Sequence, residues 1–361
     1  MNHLVFSDLH LHEHPLFTDV TMENENVFVD IALHSLNQMI SYSRDHEIDT
    51  VSFLGDLLDS RYKTPIRLIV LLQEYLNHWM NSCPKIKNFF ILRGTPSHDG
   101  EGKNFSSLLM RPIQKIITVS DTLIHDTGKE FLCYVPYYQK DKLKEDIKRL
   151  SEKIKGKPKY LFLHSGFKGS KVFDYEIKND KDLLDISDVR DFKLTIAGHF
   201  HKYQQVARKI YHVGSPYRIT FSEKEDGKGF IHLIDDEVRF EALNCPGMIE
   251  ISIDTSDIEI HGTAVKGCFI KIKVIGNERK LSKFNYESIK QEFLSKGAYG
   301  VKFERINTDE KEEVKEIRIK KEDDLEKMVD RYLELVKPEI GDLNVPKLRR
   351  IAFRSLTEYE R

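Results

Sequence analysis

Short apolar runs alternate with amphipathic segments along the first part of the chain. An apolar run at 3–7 is followed by helically spaced apolar positions over 26–46. The order recurs in the run 50–54 and the segment 65–82, where proline suits the first helical turn. A third apolar run covers 88–92. This succession of strand, loop and helix predicts an α/β fold.

The pattern continues as far as residue 245. A charged segment at 140–155 predicts a solvated helix that ends at Gly156 as its C-cap. Residues 166–192 have the composition of a loop. Further strands are predicted at 131–135, 160–163, 194–198, 209–213 and 229–235.

A turn-rich break at 244–247 predicts a domain boundary. Beyond it, alternating segments at 248–254 and 268–275, a helix at 285–295 and a strand at 299–305 predict a small α+β unit. The predicted domains are 1–245, 246–320 and 321–361.

The chain ends in two predicted amphipathic helices. They have narrow apolar stripes and little else to bury them, so they either pack on the preceding domain or bind a partner. The residues of these stripes that we predict to contact a partner are Leu325, Met328, Tyr332, Leu333, Leu348 and Ile351.

Composition limits the protein class. With 361 residues, 40% of them hydrophobic, the chain can bury the cores of two or three domains. Four widely spaced cysteines predict neither a disulfide framework nor a zinc ribbon, which favours a reducing, cytoplasmic location. No signal-peptide pattern or membrane-length apolar run is present in the sequence. The 56 basic and 58 acidic residues nearly balance, so any contact with phosphate must come from local patches.

Residues able to bind metal follow the predicted strands repeatedly. Strand ends converge at the functional edge of an α/β sheet, so these side chains are expected to lie close together. Two carboxylates and at least four imidazoles exceed the needs of one tetrahedral ion and suit two ions that share a carboxylate, for which Asp56 is the natural candidate. The donor set leaves manganese, iron or zinc open. The residues are Asp8, His10, Asp56, Ser97 or His98, His164, His199 and His201.

Two such ions suit hydrolysis of a phosphoester. The segments Asp8-x-His10, Gly55-Asp56, Gly94 to Asp99, His164 and Gly198-His199-x-His201 resemble the signature blocks of the calcineurin-like metallophosphoesterases. Within that superfamily, the segments 55–60 and 211–221 resemble the SbcD family of double-strand-break repair nucleases. The resemblance is strong to about residue 245 and mostly architectural beyond it.

The resemblance implies a fold, an activity and partners. It implies a two-sheet metallophosphoesterase sandwich, a small capping domain that controls access of DNA, and a C-terminal helical segment that docks on the SbcC-like coiled-coil ATPase. It also implies a homodimer with manganese-dependent exonuclease and endonuclease activity on DNA.

The resemblance also implies residue roles. One Mn²⁺ would be held by Asp8, His10, Asp56 and His201, and the other by Asp56, His164 and His199. His98 would protonate the leaving oxygen, with Asp99 as an orienting neighbour.

One block departs from the family pattern, which is Gly-Asn-His-Asp. Here it is Gly94-Thr-Pro-Ser-His98-Asp99, so Ser97 stands in place of the asparagine ligand and two residues are inserted. Because a serine hydroxyl is shorter and a poorer donor than an amide carbonyl, this change bears on the second ion. Two alternatives stay open: a hydrolase of the same fold that acts on phosphoproteins or small phosphodiesters, and a catalytically weak, DNA-bound scaffold for the ATPase.

Overall fold

A computed structural model describes most of the chain. The described residues are 1–14, 26–60, 64–101, 104–105, 109–172, 175–177, 182–255 and 265–309. The chain divides into two compact units, Met1–Ile306 and Asn307–Arg361. The predicted C-terminal helices and their six partner-contact residues lie outside the described part. No helix of the described part is long and apolar enough to cross a membrane.

The described elements are numbered in chain order. The helices are α1 (Val27–Asp45), α2 (Ile66–Ser82), α3 (Pro96–Asp99), α4 (Lys140–Lys153), α5 (Glu278–Leu281) and α6 (Tyr286–Ser295). The strands are β1 (Asn2–Phe6), β2 (Thr50–Phe53), β3 (Asn88–Leu92), β4 (Gly100–Glu101), β5 (Asn104–Phe105), β6 (Ile116–Val119), β7 (Leu123–Asp126), β8 (Phe131–Val135), β9 (Lys159–His164), β10 (Lys171–Val172), β11 (Tyr175–Glu176), β12 (Leu194–Gly198), β13 (Gln204–Ala207), β14 (Ile210–His212), β15 (Gly229–Ile234), β16 (Glu237–Ala242), β17 (Gly247–Asp254), β18 (Cys268–Gly276) and β19 (Gly300–Asn307).

Two six-stranded sheets form the main body. The first has the order β16-β15-β1-β2-β3-β6, and the second has the order β13-β14-β12-β9-β8-β7. Four strands of the first sheet run parallel, namely β1, β2, β3 and β6, and four of the second do so, namely β14, β12, β9 and β8. Antiparallel strands complete each sheet. This arrangement confirms the predicted two-sheet α/β sandwich.

The central strands of each sheet are buried on both faces. In β3, Phe90 and Leu92 join the cluster between the sheets, whereas Phe89 and Ile91 join the cluster that includes α1 and α2. Alternate side chains of a strand point to opposite faces, so continuous apolar runs are needed here. Phe90 stacks on Tyr134 of the second sheet with ring centroids 4.4 Å apart. The outer face of the second sheet packs in the same way on α4.

A side-chain cap sets the start of α1, and packing sets the end of α4. The Asn26 side chain accepts hydrogen bonds from the N–H groups of Phe28 and Val29, which is a typical N-cap. The prediction that Gly156 caps α4 is wrong, because the helix ends at Lys153 with Ile154 as C-cap. Ile154 adopts an extended conformation and is buried in the outer cluster of the second sheet, so packing stops the helix before the glycine.

A third, three-stranded sheet with the order β17-β18-β19 follows the break at 244–247. Together with α5 and α6 it has a core of its own, which includes Ile272, Val274 and Phe293. The predicted strands of this region are confirmed as β17, β18 and β19, and its predicted helix is confirmed as α6. The boundaries of the three predicted domains stay a prediction.

Candidate metal centre

The predicted ligands come from the carboxyl ends of strands in both sheets. Asp8, His10 and Asp56 follow β1 and β2 of the first sheet. His164 is the last residue of β9 in the second sheet, and His199 directly follows β12. Because these parallel strands end at one edge, residues separated by almost two hundred positions meet there.

The backbone at this edge adopts unusual conformations. Asp8, His10, Asp56 and His199 have positive φ angles of 55°, 43°, 57° and 92°, in a region that residues other than glycine rarely occupy. Backbone hydrogen bonds hold two of them, since the Asp8 and His10 N–H groups donate to the Gly55 and Asp56 carbonyls at 3.0 Å. Strained backbone of this kind persists where surrounding contacts fix it, and it is common at functional sites.

Two glycines allow the loops to approach closely. A Cβ atom on Gly94 would lie 2.1 Å from Oδ1 of Asp56, and one on Gly198 would lie 2.1 Å from Oγ of Ser7. Neither position accepts a larger side chain without a shift of its neighbours. The two glycines therefore bring the loops after β3 and β12 against those after β1 and β2.

The side chains form three overlapping groups whose ligand atoms lie within 4.8 Å of one another. Asp56 belongs to two of these groups, and so does His10. The shared residues make the groups adjacent parts of one cluster. The groups are Asp8 with His10 and His201, His10 with Asp56 and His98, and Asp56 with His164 and His199.

Hydrogen bonds fix the orientation of two ligand imidazoles. His164 Nδ1 donates to the Leu54 carbonyl at 2.6 Å, and His201 Nδ1 donates to Oε1 of Glu223 at 3.2 Å. In the neutral form of both rings the Nε2 atom then carries the lone pair that a metal ligand requires. Nε2 of His201 lies 3.1 Å from Nε2 of His10.

The donor set fits divalent metal ions. Nε2 of His164 is buried and makes no hydrogen bond of good geometry, although Oδ2 of Asp56 lies 3.3 Å away. Nδ1 of His10 is likewise buried without a hydrogen-bond partner. Buried polar atoms without partners are costly, and a cation bound to nitrogen and oxygen donors would satisfy such a cluster.

Burial and the charges of neighbouring side chains both shift the pKa values of the cluster. Burial alone would raise the pKa of Asp56, but the neighbouring His164 and His10 outweigh it and hold that pKa below its usual range. Burial would lower the pKa of His164, yet its ion pair with Asp56 raises it to about 9. Burial, reinforced by His164, lowers the pKa of His199 to about 4. The site therefore favours an ionised Asp56 beside a concentrated positive charge.

The loop after β3 leaves one predicted site residue, Ser97, exposed and partly buries another, His98. Ser97 is exposed, and its hydroxyl lies 3.3 Å from that of Thr95. His98 is partly buried, and its ring centroid lies 4.5 Å from that of His10. Nδ1 of His98 donates to the Asp59 carbonyl at 2.5 Å. The structure thus brings His98 into one of the three groups, beside His10 and Asp56.

Asp99 is fully buried beneath the loop that carries Asp56. Its carboxylate accepts the N–H groups of Asp56 and Leu57 at 3.0 Å, and that of Gly94 at 2.7 Å. These contacts position the backbone of Asp56. The predicted catalytic role of Asp99 beside His98 stays a prediction.

Several residues at the site were not predicted from the sequence. Thr95 donates to Oδ1 of Asp56 through its N–H at 2.6 Å and through its hydroxyl at 2.9 Å. Glu223 supports His201, and the hydroxyl of Tyr217 donates to the Leu9 carbonyl at 2.7 Å. Tyr217 lies in the 211–221 segment, whose resemblance already marked it. Nothing in the local sequence pattern distinguishes the buried Glu223 from an exposed acid such as Glu225.

The chain is similar to solved structures of other proteins. No family model and no curated protein matches the chain. A dimetal phosphatase from Danio rerio is similar over 64% of this chain and 91% of its own, with 11% identity and a TM-score of 0.42. GAP50, the anchor in the inner membrane complex of Plasmodium, is similar over 67% of this chain and 84% of its own, with 10% identity and a TM-score of 0.35. The function is therefore argued from the residues of the site.

Proposed function

We propose that this chain is a metal-dependent phosphoesterase that uses two divalent ions. The observation that carries the proposal is the sharing of Asp56 and His10 among the three groups of ligand atoms. Shared ligands would place two ions side by side. Such a pair, when bound, supplies an activated water near neutral pH and stabilises charge on a phosphoryl group.

The residues of the chain divide between the two ions. Asp8, His10 and His201 would hold one ion, and His164 and His199 would hold the other. Asp56 would bridge the two through its carboxylate. Oδ1 of Asp56 is fixed by Thr95, and Oδ2 lies 3.3 Å from His164 and 3.9 Å from His10.

His98 is suited to deliver a proton. Its Nδ1–H group donates to the Asp59 carbonyl, so the protonated imidazole has only Nε2–H left to donate to a leaving oxygen. The ring is partly exposed and lies against His10, so it borders the cluster and remains reachable by substrate. These features support His98 as the general acid.

We further propose that the substrate is DNA and the ion Mn²⁺. The chain would act as an exonuclease and endonuclease, in the cytoplasm, as a homodimer with an SbcC-like ATPase. The support is the resemblance of the segments 55–60 and 211–221 to the SbcD family. In the structure, the 211–221 segment supports the ligands: Ser215 donates its N–H to the His201 carbonyl at 3.1 Å, and Tyr217 holds the loop after β1.

One observation favours a second candidate function, a catalytically weak scaffold that binds DNA for the ATPase. Ser97 is exposed, and Oδ1 of Asp56 already accepts two hydrogen bonds from Thr95. The ion held by His164 and His199 would then have fewer protein ligands than the family pattern provides.

The test is a substrate panel with the purified full chain. Linear duplex DNA, a phosphoprotein and bis(p-nitrophenyl) phosphate are each incubated with Mn²⁺ or with a chelator, and Asp56→Asn is the matched inactive variant. Manganese-dependent degradation of DNA alone supports the nuclease. Hydrolysis of the other substrates without DNA refutes the nuclease and retains the phosphoesterase. Binding of DNA without hydrolysis of any substrate supports the scaffold and refutes the enzyme.

A further inference from the structure

A buried ion pair lies directly behind one of the candidate ligands. Glu223 and Lys228 are 3% and 2% exposed, and Oε2 of Glu223 lies 2.6 Å from Nζ of Lys228. A buried ion pair often stabilises a protein less than an apolar pair of similar volume. Its presence beside the metal cluster therefore calls for a reason other than stability.

Both members of the pair contact His201. Oε1 of Glu223 accepts the Nδ1–H group of the imidazole at 3.2 Å. Nζ of Lys228 donates to the His201 carbonyl at 2.9 Å, and also to Oγ of Ser215 at 2.9 Å. Lys228 thus holds the backbone of His201 directly and its ring through Glu223.

The two oriented imidazoles of the cluster have different supports. His164 donates to a neutral backbone carbonyl of Leu54, whereas His201 donates to a carboxylate. A carboxylate makes the imidazole a stronger donor toward a cation than a carbonyl does, and it fixes the ring plane. The ligand groups that contain His201 and His164 are therefore supported by different means.

We propose that Glu223, held by Lys228, is a positioning residue for His201 and controls the affinity of the metal position formed by Asp8, His10 and His201. The position that contains His164 and His199 does not depend on it. This inference rests on the proposed two-metal function.

The test measures binding of Mn²⁺ alone to the full chain by calorimetry. The wild-type chain should bind two ions, and Glu223→Gln should weaken one of them about 10- to 100-fold while the other keeps its affinity. The matched control is Asp146→Asn, a buried carboxylate that pairs with Arg149 on α4. It should leave both affinities unchanged.

A second readout separates positioning from a purely structural role. Mn²⁺ raises the unfolding temperature by an amount set by its affinity. Glu223→Gln should reduce this increment, whereas a structural defect would lower the unfolding temperature equally with and without metal. Glu223→Asp keeps the charge opposite Lys228 but shortens the reach to His201. It should weaken the same ion even if the Gln variant does not fold.

The outcomes are distinguishable. Folded Glu223 variants that bind both ions with wild-type affinity would overturn the positioning role. Equal weakening of both ions would overturn it too. Either result leaves the proposed function intact. A wild-type chain that binds no Mn²⁺ overturns the proposed function and the inference with it.

Discussion

Substitution of Gly94 tests whether the close approach of two loops sets the geometry of Asp56. In Gly94→Ala, the new Cβ would lie 2.1 Å from Oδ1 of Asp56 and 2.2 Å from its N atom. Ordinary contact begins at 3.4 Å, so the carboxylate or the glycine must move by roughly 1 Å. Gly94 cannot retreat easily, because its N–H donates at 2.7 Å to Asp99, which also holds the N–H of Asp56.

The magnitude follows from this displacement. Misplacement of a catalytic group by about 1 Å costs on the order of 10²-fold in rate, and overpacking a buried site costs about 1–3 kcal/mol of stability. We expect Gly94→Ala to lower manganese-dependent degradation of linear duplex DNA by about 10²-fold. We also expect weaker Mn²⁺ binding and a lower free energy of unfolding in urea.

The matched control is Gly227→Ala. Gly227 is exposed, and an added Cβ would lie 3.5 Å from the Phe240 ring, in ordinary contact. Its free energy of unfolding should change by no more than about 0.5 kcal/mol, with unchanged turnover. A Gly94→Ala protein with the turnover and Mn²⁺ affinity of the wild-type chain would refute the argument that this contact sets the site.

Three further predictions concern the bridge, the acid and the C-terminus. Asp56→Asn should abolish manganese-dependent hydrolysis while the fold and any DNA binding persist, and near-normal turnover would contradict the bridging role. His98→Ala should lower turnover by about 10²–10⁴-fold with Mn²⁺ still bound, whereas loss of metal in a titration would make His98 a ligand. Deletion of 322–361 should abolish co-purification with the ATPase and leave nuclease activity intact. Charged residues at Leu333 and Ile351 should have the same effect, because burial of each leucine-sized side chain contributes about 1.5–3 kcal/mol to partner binding. Retained co-purification, or a lower unfolding temperature of the catalytic part, would assign these helices to the core.

Long buried strands were the most predictable part of the fold. The apolar runs at Asn88–Leu92 and Phe131–Val135 predict β3 and β8 to the residue, because both faces of these strands are buried. Strands β7, β13 and β16 are not evident from the sequence. Their residues are mostly half-buried or exposed, so no apolar run marks them, and pairing with a neighbouring strand defines them.

The candidate site was predictable where chemistry follows a strand. Asp8, Asp56, His164 and His199 fall at or just after strand ends, and the structure brings all four together. Glu223 could not be predicted, since its role depends on the path of the chain between β14 and β15. Such contacts are set by tertiary packing and have no local sequence period.

The origin of the ligands in two different sheets has a mechanical consequence. Asp8 and His10 belong to the loop after β1, whereas His201 follows β12 of the opposite sheet, and Asp56 faces His164 across the same division. Each bound ion would then act as a cross-link between the layers, fastening one edge of the sandwich. Chelation should loosen this edge before the rest of the core, and amide hydrogen exchange should accelerate there first.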